Sequence, residues 1–501
     1  LSLHDALPIF NTMKKNNAPL FQVFVLGKGA VKEQVYQILR DHILEGRLPP
    51  GTKMPSTRAL SEMMSISRNS AIAGYDRLLD EGYILTRKGS GTYVSHNIPD
   101  RSISNSYPEM ALGDVVSPDD QVHSRNNPAR DLWSNEYEGR CMNRLFAVGV
   151  GCTDLFPHAL WGKLLQRVWR QSRHQLGAHT HPCGYLPLRK AICRYIKTTR
   201  GVNCNEDQII IVNGIQQALN ITARALLSAG NDVWLDDPGY KGARGTFMSV
   251  GAMVRPVPVD SEGMNVRYGI DHFPDARLAY VVPSDQYPLS GTLSLSRRFE
   301  LLEWAKSNQA WIFEDDYNSE FRYADRSLQA LQGLDQNQRV IYAGTFSKMM
   351  YPEFRLGFLV VPPGLQEQIM VTKYYSDLGT SYLEQAVMAN FIEEGHYASH
   401  VRRIRKACYE RRTALVNAIQ YYLADKMIIQ PSDSGVHIVC WLQNGMTGSE
   451  VEEKARLLGM GILSLSRYYQ SDVSRQGILI GFANHPVEAI VDGIRRLAQV
   501  I

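Results

Sequence analysis

The sequence predicts a chain of several domains: a small helical head closed by a β-hairpin, a polar linker, and a large α/β body ending in a smaller α+β lobe. Three observations predict it. A helical apolar period runs through residues 20–95 and gives way to two short β-prone runs around glycines. Residues 96–142 lose all period and fill with Pro, Ser, Asn and Asp. From 143 onward, strand-like and helix-like runs alternate, as in an α/β sheet. A length of 501 residues allows about three domains. No uninterrupted run of about 18 apolar residues occurs, so no membrane span is expected.

The opening residues 1–12, "LSLHDALPIFNT", lack the basic start and sustained apolar run of a signal peptide. "SLHDALPI" back-translates into a common sequencing-adapter read. The expectation is a non-native leader ahead of Met13. The seven cysteines (141, 152, 183, 193, 204, 408 and 440) are odd in number and form no C-x-x-C pair. Neither a disulfide framework nor a zinc or other metal site is expected, and a reducing cytoplasm fits.

In the head, "VKEQVYQILRDHILEGRL" puts Val31, Val35, Ile38 and Leu39 on one helical face. "PPGTKMP" breaks that pattern. "STRALSEMM" reads as a short second helix, capped by Ser56 or Thr57, with Arg58 in its first turn. In "SISRNSAIAGYDRLLDEGYI", Ser67 is the N-cap of a third helix, Ala71, Tyr75, Leu78 and Leu79 point inward, and Gly82 stops it. "LTRKGSGTYV" then reads as strand, glycine turn, strand. Three helices and such a wing make a winged helix-turn-helix.

The start of the third helix in this fold enters the major groove of DNA. Arg68, Asn69 and Ser70 stand there, and Arg87, Lys88, Gly89 and Gly91 on the wing suit phosphates. Residues 14–95 carry 12 Lys/Arg against 7 Asp/Glu, while the whole chain is only +4 at pH 7. The head is therefore the basic part. A protein-interaction module with a solvated polar face would share the same helices. The stretches "LPPGTKMPSTRALSEMM", "SRNSAIAGYDRLLDEGYI" and "GSGTYV" resemble the GntR family of bacterial repressors. That resemblance implies DNA contacts at Arg58, Arg68, Asn69, Ser70 and Gly89.

The linker, 96–142, has the composition of a flexible tether that lets two heads find DNA while two bodies associate. In the body, "QIIIVNG", "DVWLDDPGY", "RLAYVVPS", "AWIFEDDY" and "RVIYAGTFS" read as strands, and "IQQALNITARALLSAG" and "SRRFELLEWAKSNQ" as helices. A mostly parallel sheet follows, with its site at the strand ends. The large lobe is placed at about 185–375. From about 376 the pattern turns helix-rich and closes with "GVHIVCWLQ" and "GILIGFA" as strands of a small lobe, 376–501.

The strand ends carry chemistry. Backbone N–H groups at Gly214, Ile215 and Gln216 open a helix and suit a phosphate. Thr345 and Ser347 add hydroxyls beside Lys348, and Arg355 adds a fork that fits phosphate. Asp315 can pair with a protonated ring nitrogen, Tyr317 can donate to a ring hydroxyl, and Tyr240 can stack on a flat ring. Each of these alone is ordinarily a cap, a packing residue or a surface charge. Together they meet the needs of pyridoxal 5'-phosphate, with Lys348 as the amine.

The motifs "HPCGYLPLRKAI", "VNGIQQAL", "DDPGYKGAR", "VPSDQYPLSGTLSLSRR", "FEDDYNSEFRY" and "YAGTFSKMMYPEFRLG" resemble fold type I aminotransferases, in which a large mixed-sheet domain carries a small α+β lobe. Head and body together resemble the MocR/GabR-type regulators. The resemblance implies Lys348 as the cofactor lysine, Asp315 at the pyridine nitrogen, Tyr317 at O3′ and Tyr240 stacking. It puts Thr345, Ser347 and Arg355 at the phosphate and Arg244 at the effector.

Two departures stand out. Gln286 and Tyr287 occupy the place of an expected asparagine. Leu479 stands where amino-acid aminotransferases carry a carboxylate-binding arginine, with Arg475 nearby but ahead of the strand. The expectation is a dimeric, cytoplasmic regulator that binds an operator in double-stranded DNA and senses an amine or amino acid by exchange of the Lys348 aldimine. The alternatives are a catalytically active aminotransferase carrying a DNA-binding domain, and a DNA-binding protein whose body is only a scaffold.

Overall fold

The computed structural model describes residues 29–99, 129, 132, 144–172, 174–175, 181–323 and 328–501. The expected leader, Cys141 and most of the linker lie outside them. The chain divides into two units after His123, each taken here by itself.

The head is built from α1 (Val31–Leu44), α2 (Thr57–Met63), α3 (Arg68–Asp80), β1 (Ile84–Arg87) and β2 (Gly91–Val94). Ser56 Oγ accepts from Ala59 N at 3.2 Å and Ser67 Oγ from Ser70 N at 3.1 Å, so both N-caps fall on serines. Gly82 follows α3 with φ +82°, a left-handed stop. β1 and β2 pair antiparallel from Ile84↔Val94 to Arg87↔Gly91. The buried stripe of α1 is Val35, Tyr36, Leu39 and Ile43. Val31, expected inward, is exposed, and Ile38 and Leu79 are half-buried. The reason is local. α1 meets α3 at Gly74, where an added Cβ would lie 2.7 Å from Val35 Cγ1. Val31 stands one turn short of that crossing.

The body opens with α4 (His158–Gln171) and α5 (Leu186–Arg200). It continues as β3 (Ile209–Val212), α6 (Ile215–Leu226), β4 (Asp232–Asp237), α7 (Lys241–Ser249), β5 (Met253–Asp260) and β6 (Gly263–Met264). Then come α8 (Val266–His272), β7 (Leu278–Val281), α9 (Leu295–Ser307), β8 (Trp311–Asp316), β9 (Val340–Thr345) and β10 (Gly357–Val360). Their sheet has the order β3-β10-β9-β8-β7-β4-β5-β6. β9, β8, β7, β4 and β5 run parallel, whereas β10 is antiparallel to both its neighbours and β6 to β5. The sheet is thus mixed, with a parallel centre.

The small lobe follows α10 (Gln366–Asp377) and α11 (Tyr382–Glu393). It holds α12 (His396–Tyr422), β11 (Met427–Ile429), β12 (His437–Leu442), α13 (Gly448–Leu457), β13 (Leu463–Ser464), β14 (Gly477–Gly481) and α14 (Val487–Ala498). Its sheet, β11-β12-β14-β13, is antiparallel throughout. Residues far ahead in the chain complete it: Gly461 N donates to Leu145 O at 2.7 Å, and Gly481 N to Phe146 O at 3.1 Å. Among the described residues, six cysteines are free, and no helix is long and apolar enough to cross a membrane.

Candidate functional site

The C-terminal ends of the parallel strands converge on a cavity of about 620 Å³. Every residue expected to hold the cofactor lines it. Gly214 follows β3 with φ +79° and opens α6, leaving the N–H groups of Ile215 and Gln216 at an open helix start. Arg355, itself left-handed at φ +46°, donates from Nη2 to Asn213 O at 3.1 Å, which sets its guanidinium beside that start. Thr345 Oγ1 donates to Ser347 Oγ at 3.1 Å. A helix start, two hydroxyls and a guanidinium form an anion cradle.

β8 explains the next part. Its run Glu314-Asp315-Asp316 sends successive carboxylates to opposite faces. Glu314 accepts the Leu331 and Gln332 N–H groups at 2.7 and 2.8 Å, and Asp316 pairs with Arg200 at 2.7 Å. Asp315 alone lines the cavity. Its Oδ2 accepts from Tyr280 OH at 2.7 Å, while its buried Oδ1 has no hydrogen-bond partner. Burial pushes the Asp315 carboxyl up to about 7, with the Tyr280 hydrogen bond opposing. The Tyr317 hydroxyl is likewise buried without a hydrogen-bond partner. Burial first, then the Asp285 and Asp315 charges, raise it well above the usual tyrosine range. Tyr240 stands at the start of α7, its hydroxyl donating to Gln216 Oε1 at 3.3 Å.

Lys348 Nζ donates to Gly149 O at 2.5 Å. Gly151 passes so close that an added Cβ would sit 2.0 Å from the Lys348 carbonyl oxygen. An amine, an acid with one orphaned oxygen, an orphaned phenol and an anion cradle thus share one wall. A planar phosphorylated pyridine carrying an aldehyde would satisfy all four.

In the head, Arg58, Arg68, Asn69, Arg87, Lys88 and Gly89 are exposed and Ser70 half-exposed. The Ser70 hydroxyl lies 2.8 Å from Ser67 Oγ, and Arg58 pairs with Glu62 at 3.2 Å. Gly89 turns the wing with φ +77°. Lys53, absent from the sequence reading, joins the wing: it bridges to Tyr93, whose ring also faces Arg87 at 5.0 Å.

Residues 31–94 match the gntR family of bacterial regulatory proteins, and 151–458 match aminotransferase class I and II. The chain is 35% identical over 469 residues to the probable rhizopine catabolism regulatory protein MocR of Rhizobium meliloti, covering 93% of this chain and 92% of that protein. The chain belongs to the MocR family.

The pyridoxine biosynthesis regulator PdxR of Corynebacterium glutamicum is 27% identical, over 92% of this chain and 94% of its own. TauR of Rhodobacter capsulatus is 29% identical, over 95% and 97%. The kynurenine aminotransferase of Pyrococcus horikoshii overlays with a TM-score of 0.67 at 26% identity, covering 74% of this chain and 93% of its own. This MocR-type chain is therefore a DNA-binding transcriptional regulator with an aminotransferase-like body.

Five residues of this MocR-type body bear on the two departures and on the effector position that the resemblance implied. Tyr287 faces the cavity, its hydroxyl donating to Tyr468 OH at 2.8 Å. Gln286 turns away, donating to Asp236 at 3.1 Å and Pro238 O at 2.9 Å. Leu479 is fully buried between Val439 and Leu463, and Arg475 is exposed over the Trp441 ring at 4.5 Å. Arg244 is not brought to the wall. α7 presents Lys241, Gly242, Gly245, Thr246 and Ser249 to the cavity, and Arg244 falls off that face by helical phase. Its Nε is buried without a hydrogen-bond partner.

Several wall residues escaped sequence reading. Ala147, Val148 and Gly149, and Val436, His437, Leu463, Arg467 and Tyr468 from the small lobe, close the cavity on one side. Ala129 and Leu132, from the expected linker, also line it. The alternating glycines of "VGVG" were the one available local signal, since such glycines mark close backbone approach.

Proposed function

We propose that this regulator holds pyridoxal 5'-phosphate in its body, binds operator DNA as a homodimer through its heads, and responds to a primary amine or amino acid at Lys348. The pair of orphaned buried atoms, Asp315 Oδ1 and Tyr317 Oη, carries the reading. Such groups are costly unless a ligand satisfies them. When bound, the cofactor supplies an aldehyde that condenses with primary amines. Asp315 would hold the ring nitrogen's proton, Tyr317 the ring hydroxyl, and Tyr240 one ring face. Gly214, Ile215, Gln216, Thr345, Ser347 and Arg355 would hold the phosphate. Lys348 would be tied to the cofactor at rest and released when an effector amine replaces it. Ala129 and Leu132 give an occupant of the cavity contact with chain that leads to the head. The effector must bind two conformations unequally for that contact to matter.

The purified chain should show a visible band that borohydride abolishes, with the reduced cofactor's mass on the Lys348 peptide. Some amine should shift that band and change DNA binding, with little keto-acid formed. Rapid turnover of a natural amino donor and acceptor, with DNA binding indifferent to every amine, would favour a working aminotransferase instead.

Arg58, Arg68, Asn69, Ser70, Arg87, Lys88 and Gly89 are proposed as the DNA contacts. Binding should weaken steeply with salt. Arg68→Ala should cost about 1–3 kcal/mol and relax preference at one base position. A uniform loss over all sequences would make Arg68 a phosphate contact.

A further inference from the structure

We infer that Lys53 is a further DNA-backbone contact of the head, with Tyr93 as its positioning residue, so that one face of the wing meets phosphates as well as its tip. The assignment rests on the DNA-binding reading above and does not depend on the cofactor.

The wing gains a short third edge from the chain ahead of α2. Val94 N donates to Thr52 O at 2.9 Å and Met54 N to Thr92 O at 2.8 Å. Lys53 and Tyr93 are thereby directly opposed, in the kind of antiparallel pair whose side chains lie close. Alternation along the strands sorts the wing into two faces. Met54, Ile84 and Val94 are at most 4% exposed and close over the head's core. Lys53, Leu85, Arg87, Gly91 and Tyr93 make the other face, where Leu85 opposes Tyr93 and Arg87 opposes Gly91. Lys53 and Arg87 are exposed on it.

That face is ordered before any ligand arrives. The Tyr93 hydroxyl lies 2.7 Å from Ser90 Oγ, which ties the ring to the wing turn. Lys53 Nζ stands 5.8 Å and Arg87 Cζ 5.0 Å from the ring centroid, both within cation–π reach. Gly91 leaves the room that the Lys53 side chain crosses, since an added Cβ would lie 3.1 Å from Lys53 Cε. Among the described residues the head's arginine–carboxylate pairs engage Arg40, Arg47, Arg58 and Arg77, and none engages Lys53, Arg87 or Lys88. Two like charges gathered at one ring repel each other, and an anion beside them relieves that repulsion. A duplex backbone supplies phosphates in a row, which suits cations held in a row. Preorganisation of this kind favours binding.

The test uses the full-length chain and a mixed-sequence DNA duplex, with binding followed by fluorescence anisotropy across a salt series. Each phosphate contact adds about 0.9 to the slope of log affinity against log salt. Lys53→Gln should lower that slope by about 0.9 and weaken binding alike on every duplex sequence, and Lys53→Arg should restore both. Tyr93→Thr keeps both cations and a residue suited to a strand. Its slope should hold while affinity falls about two- to tenfold, because the cations are no longer held in place. Tyr93→Phe keeps the ring and should stay closer to the wild type. An unchanged slope in Lys53→Gln overturns the Lys53 assignment and leaves the DNA-binding reading standing. An equal fall in Arg47→Gln, which removes an exposed cation paired with Glu45 at 2.9 Å, would make the effect one of bulk charge and overturn it too. Wild-type affinity in Tyr93→Thr overturns the positioning role. A wild-type chain that binds no duplex overturns the DNA-binding reading itself.

Discussion

The two sides of the cavity are built differently. The side that suits ring and phosphate comes from single turns at the ends of neighbouring strands: Gly214 after β3, Tyr240 after β4, Asp315 at β8, Lys348 after β9. The opposite side comes from β12, β13, the Leu465–Tyr468 turn and the Ala147–Gly149 segment. Parallel strands place their C-terminal loops together whatever the rest of the chain does. The second side exists only once the small lobe has folded against residues some three hundred positions away. The first side is thus fixed by local topology and suits an invariant group. Apart from Gly149, whose carbonyl accepts from Lys348, the second side can vary with less effect on the first, as a specificity surface must.

The strongest way to break this division is to cross it. Lys348→Ala should abolish borohydride-fixed cofactor completely while Arg467→Gln leaves it intact. Loss of the fixed cofactor in both variants would show that the sides are not separable. Gly151→Ala comes next. Its Cβ would meet a backbone oxygen at 2.0 Å, which a side-chain rotation cannot relieve. Overpacking of this kind costs about 1–3 kcal/mol, and here the strain falls on the Lys348 turn. A lowered body melting temperature and weakened cofactor retention are expected. Gly230→Ala, where nothing lies within 4 Å but φ is +86°, gives the cost of left-handed strain alone.

A third variant probes the phosphate end by itself. Arg355→Gln should raise the cofactor's dissociation constant by about ten- to a hundredfold, the worth of one or two charge-assisted hydrogen bonds. Arg475→Gln, on an exposed cation stacked over Trp441, should leave it unchanged. Equal effects would mean that both act through bulk charge rather than contact.

The same division governs what the sequence discloses. "FEDDY" and "GTFSK" give their chemistry directly, because residues at a strand's end lie close to a place known from topology. Gly214 and Arg355 are legible for that reason, and so are the serine caps of the head. β5 is not, because "MVRPVPVD" carries Pro256 and Pro258, which argue against a strand. The sheet accommodates them because only the short β6 covers β5 beyond β4, and only at Val259 and Asp260. β10 inserts antiparallel between β3 and β9, a long-range choice with no local mark. Val31 fails by helical phase, since a period gives a face but not where a neighbour ends. Arg467 in "LSLSRYY" looks like any surface arginine until the fold brings Glu452 to its Nε at 2.9 Å and Asp237 to the Gln470 N–H at 2.7 Å.

The smallest expected effect concerns the ring end alone, in the cofactor-free protein. Asp315 is buried, and burial raises its carboxyl to about 7, with Tyr280 and Lys348 pulling the other way. An unfolded chain would titrate it near 4. The folded state therefore keeps a proton that the unfolded state has released. That contribution is complete below about pH 4 and is lost as pH rises through about 7. Between pH 6.5 and 8.5 the loss is roughly 1 kcal/mol. Asp236, Glu314 and Glu320 are also raised to about 7, burial first in each case, so the wild-type slope is steeper than one group can make it. His437, on the opposite side, is lowered by burial, so near pH 6.5 the unfolded chain holds a proton there that the folded state does not; its contribution rises with pH, opposite in sign to that of Asp315, and is common to variant and wild type. Asp315→Asn isolates the ring end. Denaturant midpoints of the body at pH 6.5 and 8.5 should fall less in the variant than in the wild type, by about the contribution of one carboxyl. Equal falls would mean that Asp315 ionises like an exposed acid, and that the wall on which the cofactor reading depends is wet rather than dry.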